Sequence, residues 1–275
     1  MPSISVVIPT CDRPELLALA LSDVRAQTLA AHEVIVVDDG ARFPPLELPA
    51  VVRLLRESGG SGPSASRNLG ARHASGEYLA FLDDDDRWTE DYLSEIQATI
   101  LRAQSQPDVV IARLDLKRGG RAPREGAMPD LNHFEALLLS ANPGITGSNI
   151  VVRRRFFEEI GGFNEHFRNS NDRDFGLRIV DAGGVTVLCP RAVAVQTLHD
   201  GERISTGLAS VWRKLPFLVH YWSRMTVQQR MDNVRRLYRI ALKGLRAQRG
   251  RVFASLRRPL GRVRRWLRPR LAGRA

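Results

Sequence analysis

A short apolar run that ends in four consecutive aspartates, EYLAFL (Glu77 to Leu82) followed by Asp83-Asp84-Asp85-Asp86, restricts the fold of this chain more than any other stretch. Adjacent carboxylates repel one another and lose hydration when enclosed, so the run must finish where water or a cation relieves them. An apolar segment without alternation is the pattern of a strand covered on both faces. Similar runs occur at ISVVIP (Ile4 to Pro9), EVIVVDDG (Glu33 to Gly40) and VVRLL (Val51 to Leu55). Amphipathic stretches lie between them. One opens at Pro14, where proline suits a first helical turn, and runs through LLALALSDVRAQ. Another, ASRNLGARHA, follows the loop SGGSGPS (Ser58 to Ser64). Strands and helices alternating at these lengths predict an α/β fold with a mostly parallel sheet and right-handed crossovers. Ligands of such sheets gather at the carboxyl ends of the strands. Thr10 with Asp12, Asp38 with Asp39, and the run from Asp83 to Asp86 are therefore expected along one edge.

Hard divalent cations take oxygen ligands, and Mg²⁺ commonly uses one or two carboxylates together with substrate phosphates. The acid run thus reads as a platform for a metal and a diphosphate. Its bland counterpart is a solvated turn that caps a helix beginning after Arg87-Trp88-Thr89. Two other phosphate-binding arrangements fail on residues that should be present. No G-x-x-x-x-G-K-[ST] accompanies the acids, and the first strand is followed by PTCDRPE instead of G-x-G-x-x-G.

The series ISVVIPT, VIVVDDG, SASRNLGARHASGEYLAFLDDDDRW, GSNIVVRRRFFEEIGGFNE and NDRDFGLRI resembles the family 2 glycosyltransferases of GT-A fold, over roughly Ile4 to Ser205. The resemblance implies an inverting transfer of a sugar from a nucleotide-sugar to an acceptor hydroxyl, with Mg²⁺ or Mn²⁺ as cofactor. Carried over residue by residue, it gives Thr10 and Asp39 to the nucleotide base and ribose, with Asp12 and Asp38 beside them. A carboxylate there can accept the N3–H of uracil, which favours a UDP-linked donor; the plainer reading is an Asp-Gly turn. Arg67 is implied near the base and diphosphate, against the alternative of a surface helix arginine. Asp83 and Asp85 are the metal pair, with Asp85 preferred for direct contact, Asp84 turned toward the donor, and His199 near metal or diphosphate. Trp88 is expected beneath the acid loop. Gly147, Ser148 and Asn149 are expected on the acceptor side. Asp172 falls where the family carries its general base, with Asp174 next in line; as a plain alternative the two would cap a helix. At a helix N-terminus, Asp172 is expected to be ionised at neutral pH. Asn171 stands where an acid is customary, which bears on acceptor contacts and on how Asp172 is held. It also supports the competing reading of a non-catalytic nucleotide-sugar-binding or scaffold protein with a degenerate site.

Charge divides the chain. Ile204–Ala275 holds 19 of the 41 Lys and Arg but one of the 30 acids, Asp232, so the first 203 residues carry −7 and the remainder +18. A division into a transferase domain (1–203) and a basic amphipathic helical extension (204–275) follows. Val234, Leu237, Tyr238, Ala241 and Leu242 fall on one helical face flanked by Arg235, Arg236, Arg239 and Lys243. Such a helix suits an anionic membrane surface, and a packing helix with a solvated Arg-rich end is the alternative. Nucleic acid could be held electrostatically by the tail but would explain nothing in the body. A length of 275 residues with 43% hydrophobic and 26% charged residues excludes a disordered chain, a fibrous repeat and a disulfide miniprotein. Two distant cysteines, no basic leader and no apolar stretch of spanning length point to a cytoplasmic protein, peripheral on the membrane at most. Polysaccharide, glycolipid or natural-product glycosylation all accommodate this reading.

Overall fold

The computed structural model describes residues 1–41, 52–56, 59–167, 169–198 and 208–245. Eight strands form one sheet in the order β3-β2-β1-β4-β7-β6-β8-β5. The first half is parallel: β3 (Val52–Arg56), β2 (Glu33–Asp38), β1 (Ile4–Thr10) and β4 (Tyr78–Phe81). Every residue of β1 and β4 is buried, because helices cover both faces. Side chains alternate between the two cores. Val7, Leu79 and Phe81 pack on one face with Phe157, Phe163 and Phe175, whereas Ile8, Tyr78 and Ala80 pack on the other with Leu17, Leu93 and Ile96.

The second half departs from the parallel expectation. β7 (Ile150–Arg153) runs antiparallel to both β4 and β6 (Val109–Arg118), β8 (Thr186–Leu198) is parallel to β6, and β5 (Asp86–Trp88) is antiparallel to β8. The sheet is therefore mixed, with the parallel pairings slightly in excess. β5 has three residues and β7 four, and each pairs with a distant segment, so neither leaves a local periodic signal.

α1 (Pro14–Arg25) opens with the expected proline but ends two residues early. Gln27 turns inward instead, and its amide nitrogen donates to the carbonyl of Thr89 at 2.8 Å. α2 (Pro63–His73) lies so close to β1 that a Cβ on Gly70 would sit 2.3 Å from Val7 Cγ1. This close approach brings Arg67, one turn earlier, over the strand ends. α3 (Tyr92–Arg102) follows β5, and α4 (Phe134–Ser140), α5 (Arg154–Glu159) and α6 (Asn171–Asp181) complete the body.

The basic extension, as far as it is described, is docked on that body. α7 (Leu208–Tyr221) contributes Phe217, Leu218 and Tyr221 to the same core, and Met225 joins them. Arg173 of α6 places its guanidinium 4.2 Å from the Phe217 ring centroid. Asn233, on α8 (227–245), donates to Leu139 O at 2.9 Å. The apolar face expected on α8 is split: Leu237 packs toward the core, while Val234 and Tyr238 face solvent. Among the described residues, no helix is long and apolar enough to cross a membrane.

Candidate active site

The carboxyl ends of β1, β2 and β4 meet at one edge of the sheet and bring together most of the residues singled out from the sequence. Asp38 is buried at the end of β2 and accepts from Gly40 N–H at 2.8 Å; burial raises its pKa against the backbone N–H groups of Gly40 and Asp12. Asp12 adopts a left-handed conformation (φ 53°), and a Cβ on Gly40 would lie 2.3 Å from its Oδ1. Glycine is required at 40 because these two turns close against each other. Asp39 is more than the acid of an Asp-Gly turn. Its two carboxylate oxygens accept from Ser61 N–H at 3.0 Å and Gly62 N–H at 2.6 Å, pinning the glycine-rich loop before α2.

The four aspartates alternate. Asp83 and Asp85 are half-exposed, whereas Asp84 and Asp86 are buried. Asp84 turns inward, accepting from the Thr10 hydroxyl at 2.8 Å and pairing with Arg13 at 3.1 Å. Both Thr10 and Asp84 were expected to face the donor; in the structure they brace the strand ends. Burial raises the Asp84 pKa to about 6, Thr10 and Arg13 oppose the rise, and Asp85 and Asp83 add to it. Asp86 opens β5 opposite Gln196. Burial and the charges of Asp83 and Asp85 push its carboxyl well above the usual range. Because β5 separates the run from α3, and α3 has no side-chain cap at Asp91, the acids do not form a capping turn.

Ser148 organises this loop from beneath. Its hydroxyl donates to Asp86 at 2.7 Å and accepts from Asp83 N–H at 3.1 Å. Its carbonyl accepts from Trp88 Nε1 at 2.7 Å and from the Tyr92 hydroxyl at 3.2 Å. Trp88 packs under the acids, stacked on Tyr92 with 4.1 Å between centroids. Ser148 and Asn149 are fully buried. The expectation that their side chains line an acceptor surface is therefore corrected. Asn149 donates to Ala112 O at 2.8 Å and to Gly144 O at 3.0 Å, locking the turn internally.

Arg67 is 3% exposed, which excludes a surface role. One guanidinium nitrogen donates to Asp83, the centre of charge lies 5.1 Å from the Phe163 ring, and Nε and Nη1 are sealed from solvent without a partner. Gly147 packs directly on the guanidinium, where a Cβ would stand 2.7 Å from Nε. Asp172, in the first turn of α6, completes the group. Its Oδ1 is likewise sealed and unpartnered. Burial raises its pKa to about 6; Arg67 opposes the rise, Asp83 adds to it, and the Gly147 and Asp172 backbone N–H groups moderate it. Burial thus outweighs the helix terminus, which by itself would lower the value. The N-cap residue of α6 is Ser170, whose side chain makes no cap, and Asn171 Oδ1 accepts from Asp172 N–H at 3.1 Å, so neither Asp172 nor Asp174 is the N-cap residue. Asp174 is fully buried and spent on the Tyr221 hydroxyl at 2.7 Å and Arg178 at 2.9 Å, which removes it as a substitute base. Asn171 donates to the Ser64 hydroxyl at 3.1 Å, tying α6 to α2.

His199 lies outside the described residues. Among those described, no group of three His, Cys, Asp or Glu side chains converges on a metal-sized centre. Sequence reasoning missed Arg13 and Ser64. Arg13 stands three residues past the first strand end, a placement that could have nominated it, whereas nothing local marks Ser64.

Comparison with known proteins gives one consistent answer. The glycosyl transferase family 2 profile matches residues 5–161. An uncharacterized glycosyltransferase, YwdF, of Bacillus subtilis is 32% identical over 64% of this chain and 67% of its own. Succinoglycan biosynthesis protein ExoW of Rhizobium meliloti is 35% identical over 71% of this chain and 69% of its own. In fold, the chain is similar to S. aureus TarS 1–349 in complex with UDP-GlcNAc (TM-score 0.58, 17% identity, 79% of this chain and 66% of that one). It is also similar to GalNAc-T7 with UDP, GalNAc and Mn²⁺ (TM-score 0.59, 17% identity, 79% and 48%). The chain spans less than two thirds of the length of these two solved structures.

Proposed function

The chain belongs to the family 2 glycosyltransferases, and on that premise we propose that it moves a sugar from a UDP-linked donor to an acceptor hydroxyl with inversion at the anomeric carbon. The observation that carries the reading is the group formed by buried Arg67 and half-buried Asp83 and Asp172. Arg67 offers two sealed N–H donors and Asp172 one sealed carboxylate oxygen, all without protein partners, beside the acid edge of the sheet. Orphaned donors and an orphaned acceptor side by side call for a ligand bearing both kinds of group. A nucleotide-sugar with its acceptor is such a ligand.

Asp172 takes the proton of the acceptor hydroxyl. The hydroxyl oxygen attacks the anomeric carbon while the bond to the diphosphate breaks on the opposite face, and the electron pair departs with the nucleoside diphosphate. A base with a pKa of about 6 is ionised at neutral pH yet basic enough to assist. Arg67 faces the negative charge of the donor, with Asp39 and Asp38 holding the turns on the nucleotide side. The donor set fits Mg²⁺ or Mn²⁺: Asp83 and Asp85 supply only carboxylate oxygen, beside Asp84 and Asp86, whose carboxyl groups are raised first by burial and then by the charges of Asp83 and Asp85 that a cation would offset. Such an ion, when bound, supplies Lewis-acid stabilisation of the leaving diphosphate. Uridine is supported by the UDP and UDP-GlcNAc complexes of the structural neighbours. An acceptor in polysaccharide assembly is supported by the succinoglycan-biosynthesis relative. Asn171 does not favour a degenerate site, since its amide positions α6 against Ser64.

The test is a thermal-shift panel of uridine, guanosine and deoxythymidine diphosphates with and without Mn²⁺, on the intact chain and on Asp85→Ala. Stabilisation that needs uridine diphosphate and metal together, and is lost in Asp85→Ala, is the expected result. No shift with any pair overturns the donor assignment. Diphosphate release retained at full rate in Asp172→Asn overturns the base.

A further inference from the structure

Among the described residues, one apolar stripe of helix α8 is left uncovered. Val227, Met231, Val234, Tyr238 and Leu245 recur at intervals of four, three, four and seven residues, which places them along one line of an α-helix. All are exposed: 69% for Val227, 50% for Val234 and 64% for Tyr238. The side of α8 that meets the body is a different one, carrying buried Asn233 and Gly244 and the core-facing Leu237. A helix packed on a domain ordinarily turns polar residues outward. Here the outward side has an apolar centre, with exposed Arg235, Arg239 and Lys243 flanking it and Arg230 on the other side.

The flanks decide what can cover the stripe. Asp232 is the sole acid in 227–245, and it already accepts from Gln228 at 3.1 Å and meets Arg235 at 3.5 Å. A second copy of α8 would therefore set one arginine row against another, a like-charge arrangement. An anionic surface neutralises the same rows. Neighbouring elements add exposed apolar side chains, one of them beside a cation. Trp222 is exposed with the Arg230 guanidinium 5.1 Å from its ring, and Trp212 (74% exposed) and Val219 lie open on α7. Indole rings beside cations suit the boundary between headgroups and acyl chains. The sequence from 246 to 275 adds further arginines and no acid.

We infer that the outer face of α8 docks on an anionic lipid bilayer, with Val227, Met231, Val234 and Tyr238 entering the interface and the flanking arginines meeting the headgroups. This inference does not depend on the sugar chemistry. Membrane binding and diphosphate release can each fail while the other stands.

The experiment is co-sedimentation of the full chain with phosphatidylcholine vesicles, with and without about a third phosphatidylglycerol, at low and at raised salt. The comparison is with the double variant Val234→Ser, Tyr238→Ser, whose positions are exposed and outside the core. The intact chain is expected on anionic vesicles only, with a fraction that survives the salt. The double variant should bind at least about tenfold more weakly while keeping its melting temperature. Equal binding by the double variant overturns the inference, because the charges alone would then suffice. A dimer of the intact chain in solution that the two serines dissociate overturns it in favour of a second copy. Salt-resistant binding to a duplex oligonucleotide that the serines weaken equally overturns it in favour of nucleic acid.

Discussion

Replacing Asp172 with Asn should slow the enzyme and stabilise the protein at the same time. The Asp172 carboxyl has a pKa of about 6 against an ordinary value of 3.8, a rise caused by burial and sustained by Asp83 against the pull of Arg67. The folded protein therefore holds this proton more tightly than the unfolded chain does. Above pH 6 the ionised group destabilises the fold; below about pH 4, where both states are protonated, the penalty vanishes. A difference of about two in pKa corresponds to about 3 kcal/mol at full strength, and solvent relaxation around a partly exposed residue reduces this to roughly 1–2 kcal/mol. For a protein of this size that is a rise of a few degrees in melting temperature at pH 7.5. At pH 5 the gap between variant and parent should have narrowed to about half, because the unfolded chain is still mostly ionised there, and it should close only below about pH 4. Transfer should fall by roughly 10²- to 10⁴-fold in the variant, as expected for loss of a positioned base. The parent rate should decline about tenfold per pH unit below pH 6. Melting curves at pH 7.5 and pH 5 and a diphosphate-release assay across pH 5–8 measure both halves. A variant that melts lower than the parent at pH 7.5, or that keeps the parent rate, refutes the reasoning.

Other perturbations separate support from chemistry. Burial first, and then the charges of Asp83 and Asp85, raises the carboxyl groups of Asp84 and Asp86, so Mn²⁺ should raise the melting temperature at pH 7.5 and do so less at pH 5, where both are more protonated; equal shifts at both would refute the electrostatic account. Ser148→Ala removes the hydroxyl that donates to buried Asp86 and should destabilise by about 1–3 kcal/mol, read from chemical denaturation. Gly147→Ala would place a Cβ 2.7 Å from Arg67 Nε; calorimetry should show weakened nucleotide binding with a melting temperature close to the parent's. Asp174→Asn loses one strong partner for Tyr221 or Arg178 and should lower the melting temperature while leaving the pH profile of transfer unchanged, which a direct comparison with Asp172→Asn checks.

Local pattern alone specified β1, β2, β3, β4 and the helices between them, because each is a contiguous apolar or amphipathic segment whose period is set by its own backbone geometry. The clustering of Thr10, Asp38, Asp39 and the acid run at one edge followed from that alternation, since parallel strands deliver their carboxyl ends to the same side. Motif resemblance added Arg67 and Asp172, which no periodicity could have linked. Only the tertiary structure decided the rest. Four adjacent aspartates are equivalent in sequence, and it took Thr10, Arg13 and Ser148, which approach from distant segments, to turn Asp84 and Asp86 inward and leave Asp83 and Asp85 half-exposed. Asp172 and Asp174 look alike at the start of one helix, yet contact with Tyr221 and Arg178 assigns one to the frame, and burial beside Arg67 leaves the other with an unmet oxygen. The short strands β5 and β7, and the face of α8 that stays open, were decided in the same way. Periodicity records which residues share a side of an element, whereas burial, pairing and charge depend on what the folded chain brings against that side.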